Sequence, residues 1–74
     1  MKTLKDIKVG QKAVVKKIKG DGPTIRRLMD MGITRKTEIY VRKVAPLGDP
    51  IQISLRGFEL TVRKKDAESI IMEE

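Results

Sequence analysis

Apolar and charged residues alternate with a period of two on both sides of one proline- and glycine-rich stretch, Val44-Ala45-Pro46-Leu47-Gly48-Asp49-Pro50. The run before it is Thr37-Glu38-Ile39-Tyr40-Val41-Arg42-Lys43, and the run after it is Ile51-Gln52-Ile53-Ser54-Leu55-Arg56. This is the pattern of a half-buried strand, because successive side chains leave the backbone on opposite faces of a sheet. The stretch between them is more than a plain turn. Pro46 and Pro50 fix φ, Gly48 accepts positive φ, and Asp49 is biased toward extended geometry by the proline after it. Leu47 has no strand partner, so it either tucks onto the core or stands exposed for something else to cover.

The same reading extends to the rest of the chain. Thr3–Ile7 forms a capped turn, with the Thr3 oxygen placed to accept from the backbone ahead and Asp6 placed at the positive end. Gln11–Lys19 is a β-branched run bounded by glycines, hence a strand, with Ala13/Val15 on one face and Val14/Ile18 on the other; the pattern does not say which face is inward. Gly20–Thr24 is a break that doubles as a helix start, with Asp21 or Thr24 as N-cap and Pro23 in the first turn. Ile25, Leu28 and Met29 then share one helical face, Gly32 stops the helix after Met31, and Ile33 takes the apolar position beyond the cap. At Arg56-Gly57 the apolar phase moves from odd positions (Ile51, Ile53, Leu55) to even ones (Phe58, Leu60, Val62), as at a tight turn or bulge. Lys64–Ser69 reads as a turn of helix and Ile70–Met72 as a last short strand. Five short strands around one small core close best into a partly open, SH3-like β-barrel, mainly β, with one short helix in the first connection.

Composition narrows the chemistry. Seventy-four residues predict one domain over residues 1–74, with no room for a two-domain enzyme. Cysteine and histidine are both absent, which removes thiolate and imidazole nucleophiles, bases and metal ligands at once. A metal would have to rely on carboxylates such as Asp21, Asp30, Glu38, Asp49 and Asp66, each of which has a simpler use as a cap, turn former or ion-pair partner. No cofactor site is expected, and no phosphate-binding glycine loop with its lysine is present. Apolar runs last only a few residues, so a soluble, cytoplasmic protein is expected. The formal charge of +7 calls for an acidic protein surface, an anionic leaflet or nucleic acid.

Four segments together resemble the FeoA family: Arg27-Leu28-Met29-Asp30-Met31-Gly32-Ile33, Val44–Pro50, Arg56-Gly57-Phe58-Glu59-Leu60 and Asp66-Ala67-Glu68-Ser69-Ile70. Their order is preserved and the similarity runs from Leu4 to Met72. It extends to the C-terminal domain of DtxR-type metal-dependent repressors, whose DNA-binding and dimerisation portions this chain lacks. The resemblance implies a small cytosolic, non-enzymatic accessory of bacterial ferrous iron transport. Its partner would be the FeoB permease, with a GTP-binding cytosolic domain, so the protein would be peripheral to the membrane through that partner.

The candidate partner-binding residues are Arg27, Met31 and Gly32 at the helix end and Pro46, Leu47, Gly48, Asp49 and Pro50 in the loop. If these two parts meet in space, Met31 and Leu47 form one apolar patch beside arginines. Against this stands the plainer possibility that the loop is a shaped connection whose Leu47 completes the core. The alternative function is a basic SH3-like nucleic-acid-binding module. Nucleic acid is not expected, because Tyr40 and Phe58 are the only aromatics and leave almost no stacking platform, and no recognition helix is evident. Proline-rich peptide recognition is disfavoured for the same lack of aromatics. Exposed strand edges in so small a barrel make a homo-oligomer an open expectation.

Overall fold

Five antiparallel strands and two helices follow one another in a computed structural model that describes residues 2–74. A 3-10 turn, Leu4–Asp6, leads into β1 (Lys12–Ile18), and α1 (Gly22–Asp30) crosses to β2 (Glu38–Val44). Then come β3 (Ile51–Leu55), β4 (Phe58–Val62), α2 (Lys64–Ala67) and β5 (Ile70–Met72). The sheet order is β4-β3-β2-β1-β5. Along β1 the partner changes: Lys12–Val14 pair with β2, whereas Val15–Ile18 pair with β5. That change curves the sheet around its core and yields the partly open SH3-like barrel expected from the sequence. The outer side of β5 is covered by the N-terminal segment, where Thr3 bridges Ile71 and the Met72 N–H donates to the Lys2 carbonyl at 2.8 Å. The free edge is therefore β4. Among the described residues, no helix is long and apolar enough to cross a membrane.

Strand alternation becomes burial where it predicts it: Ile39 and Val41 in β2, and Ile51, Ile53 and Leu55 in β3, are buried. The face of β1 left open by the sequence resolves with Val15 inward and Ala13 and Ile18 packed against the core. Val15 and Ile18 can both face inward because the register shifts between Val15 and Lys17, which turns two consecutive lysines outward. A second bulge between Val41 and Lys43 keeps Val44 opposite Ile51. Phe58 departs from the pattern. It stands opposite Leu55 at the start of the edge strand, where no further strand covers it, and is 68% exposed.

The helix begins earlier than its apolar face implies. Asp21 is the N-cap, its carboxylate accepting the Thr24 N–H at 2.8 Å, with Pro23 in the first turn. At the other end the Gly32 N–H donates to the Met29 carbonyl and the Ile33 N–H to the Leu28 carbonyl, with Gly32 at φ +93°. This pair of bonds defines a Schellman motif, and its apolar contact joins two fully buried residues, Leu28 and Ile33. Nine residues are too few for a stable isolated helix, so α1 is held by burial of Leu28, worth roughly 1.5–3 kcal/mol. In the first turn Thr3 and Asp6 form a capping box. Asp6 accepts both the Thr3 N–H (3.0 Å) and the Thr3 hydroxyl (3.2 Å), and the backbone bond in particular holds its carboxyl below the ordinary aspartate value. The Asp21 carboxyl is likewise lowered by its hydrogen bonds to Thr24.

Candidate functional site

The β2–β3 connection is built in two tiers. At its base the Ala45 N–H donates to the Pro50 carbonyl at 3.1 Å, which continues the strand ladder by one rung. Above it the Gly48 N–H donates to the Ala45 carbonyl at 2.7 Å, closing a four-residue turn with Pro46 in its second position and Gly48 at φ +85° in its fourth. The Asp49–Pro50 peptide is cis. Leu47 lies at the tip and is 93% exposed. Of the two expectations for Leu47, burial in the core is therefore the one the fold rejects.

What fixes the loop comes from distant chain. The Asp49 carboxylate accepts the Lys64 N–H at 3.0 Å, so it satisfies one of the free donors at the start of α2, where Arg63 supplies no side-chain cap. A four-residue helix has little stability of its own, and α2 is held further by the buried Ala67. The Asp66 carboxylate in turn accepts from the Arg27 guanidinium at 2.8 Å, with Asp66 mostly covered and Arg27 half exposed. Loop, α2 and α1 are thus tied in series by Asp49, the Lys64 backbone, Asp66 and Arg27. Thr24, Arg27, Asp49, Arg63, Lys65 and Asp66 border one depression of about 610 Å³ between these elements.

The two halves of the sequence signature therefore come together, but through Arg27 and Asp49 rather than through Met31 and Leu47. Met31 is the C-cap of α1 and is half-buried against the core. Leu47, at 93% exposure, has almost nothing packed on it, so the two do not form one apolar patch. Gly32 serves the helix stop, and a Cβ there would sit 3.4 Å from the Leu55 Cδ1. Pro46 and Pro50 line a small depression of about 250 Å³ with Val44, Ala45, Gln52 and Thr61. Arg63 and Lys65 border the site as well, and Asp66, weighed in the sequence as a carboxylate ligand and within a family segment, joins it as an ion-pair partner. Nothing local paired Asp66 with Arg27, 39 positions away.

The carboxylates weighed as metal ligands are mostly occupied. Asp21 caps α1, Asp49 caps α2, Asp66 pairs with Arg27, and Glu38 approaches Lys12 at 4.0 Å. Among the described residues no three acidic side chains converge in a metal-ligating group. Three cations and two carboxylates border the depression, Arg27 already paired with Asp66, and one large apolar side chain, Leu47, stands exposed at the loop tip.

A family model described as FeoA domain matches residues 2–74. The Fe(2+) transport protein A/Fe(2+) transporter FeoB fusion protein of Porphyromonas gingivalis is 30% identical over 70 residues, which is 95% of this chain; the chain spans 8% of that relative's length. The solution structure of a FeoA-like protein from Clostridium acetobutylicum is 42% identical with a TM-score of 0.89, covering 96% of this chain and 83% of that one. A crystal structure of Stenotrophomonas maltophilia FeoA complexed with zinc, described as a prokaryotic SH3 domain protein, shares the fold at 19% identity and a TM-score of 0.85, covering 99% of this chain and 91% of that one.

Proposed function

The chain belongs to the FeoA family, and on that premise we propose that it is a non-enzymatic cytoplasmic accessory of ferrous iron transport that docks on the GTP-binding part of a FeoB permease through its β2–β3 loop. The observation that carries this reading is Leu47: a large apolar side chain, 93% exposed, at the tip of a connection whose base is over-determined by prolines and by the Asp49 bond to α2. An exposed leucine alone would mean little. One held out on a pre-organised loop meets a partner without paying for ordering on contact, which is how interface anchors gain affinity. The fusion relative supports the choice of partner, since there the two named parts share one chain. The net charge of +7 favours encounter with an acidic surface.

In this reading Leu47 makes the contact, with Pro46 and Pro50 beside it, while Gly48, Asp49 and Arg27 position the loop. Gly32 and Met31 finish the helix that carries Arg27. The test is capture of this protein by the purified GTP-binding portion of a cognate FeoB. Leu47→Asp, verified as folded by its melting curve, is expected to lose binding by more than about tenfold, the ~1.4 kcal/mol scale of one interface anchor. Phe58→Ser, at another exposed apolar site, is expected to leave binding unchanged. Full binding by Leu47→Asp would remove the loop from the interface, and no binding by the unaltered protein would remove the partner.

A further inference from the structure

A second surface, away from the loop, combines apolar side chains with cations that have no protein partner. Ile18, Ile25 and Met29 line a shallow depression of about 220 Å³ between the end of β1 and α1, with Lys17, Thr34 and Arg35 on its rim. Arg35 also borders the neighbouring depression that holds Lys16. Arg26 follows Ile25 on α1, three positions before Met29 and on the adjoining helical face. Lys16, Lys17, Arg26 and Arg35 enter none of the ion pairs among the described residues. The nearby acids are few: Asp30 follows Met29, and Glu73 and Glu74 lie at the far side of the Lys16 depression, where Glu73 is already bonded to Lys36. The bulge in β1 matters here, because it is what turns Lys16 and Lys17 out together instead of on opposite faces.

We propose that this face binds the anionic surface of a phospholipid bilayer directly. The long basic side chains reach headgroup phosphates and carboxylates, while Met29, 50% exposed and backed by Ile18 and Ile25, enters the boundary between headgroups and acyl chains. An acidic polypeptide carries the same charge but fits this face less well. No aromatic residue lines the depression, so it lacks the anchors that grooves for extended peptides use. Its volume also falls below the ~300 Å³ at which pockets that enclose a ligand begin. A broad surface laid across it uses the cations and Met29 together. This contact goes beyond docking on a permease and stands without it, since it needs no protein partner.

Co-sedimentation of the full chain with phosphatidylcholine–phosphatidylserine vesicles, against pure phosphatidylcholine vesicles, tests the proposal at low and at physiological salt. Binding is expected to the first and not to the second, and to weaken with salt. Neutralising Lys16→Gln, Lys17→Gln and Arg35→Gln together is expected to reduce partitioning by about a hundredfold. The matched set Arg63→Gln, Lys64→Gln and Lys65→Gln removes the same formal charge from a different face and is expected to cost less than about tenfold. The chain contains no tryptophan, so Met29→Trp is a lone reporter at a half-exposed position, and its emission should shift to the blue on the anionic vesicles. Equal losses from the two neutralised sets, or an unmoved emission, would overturn the proposal. So would an emission shift with polyglutamate and none with vesicles, which would reassign the face to an acidic polypeptide.

Discussion

The two connections that flank β3 solve the same problem, reversing an antiparallel strand, with different amounts of chain. Between β3 and β4 two residues suffice: Arg56 at φ +49° and Gly57 at φ +83° form a hairpin whose two central residues both have positive φ, matching the twist of the strands it joins. Between β2 and β3 the chain spends Ala45–Pro50, caps another helix with Asp49, and places a leucine in solvent. The short hairpin is fully explained by folding. In the longer loop folding explains the base, through Asp49, and leaves the tip unexplained. A segment rigidly supported from below and apolar above has the form of a recognition element.

That contrast sets an order of expected effects on stability. Gly57→Val forces a β-branched residue into left-handed backbone and is expected to cost about 1–3 kcal/mol in urea unfolding, with binding of the folded fraction intact. Asp49→Ala uncaps α2 and frees the loop base, costing about 1 kcal/mol and weakening partner capture as well. A normal affinity in that variant would mean that the loop needs no support from α2. Arg27→Ala breaks a half-exposed ion pair and should cost only about 0.5 kcal/mol, the usual worth of such pairs, with a smaller effect on capture. Smallest is Arg56→Asn: asparagine tolerates positive φ but gives up the long 3.4 Å bond from the Arg56 guanidinium to the Thr37 hydroxyl, so unfolding stability should move by less than about 0.5 kcal/mol and binding should not move.

The elements and both glycine stops were legible because they are local. The Schellman end at Gly32-Ile33, the Asp21 cap and the Arg56-Gly57 turn each depend on residues within a few positions, and the alternation in β2 and β3 reports directly on their buried face. The bulges at Lys16 and Arg42 were not legible, because one extra residue in a strand is a property of its pairing with a neighbour. The exposure of Phe58 was not legible either: alternation groups it with Leu60 and Val62 on one face, whereas how much of that face is covered at the start of an edge strand is set by the closed fold. The site divides the same way. Pro46–Pro50 announced itself by composition. The ties that hold it, Asp49 to the Lys64 backbone and Arg27 to Asp66, join positions 15 and 39 apart and exist only once the barrel is closed.

The central claim is that the tip of the β2–β3 loop is kept apolar for contact rather than for folding. Leu47→Asp tests it most directly when unfolding and titration calorimetry with the GTP-binding portion of a cognate FeoB are run on the same preparation. Unfolding stability within about 0.5 kcal/mol of the unaltered protein, with affinity reduced more than about tenfold, is the predicted result. Unchanged affinity, or a loss of stability comparable to that of a core substitution, about 2–5 kcal/mol, would contradict it.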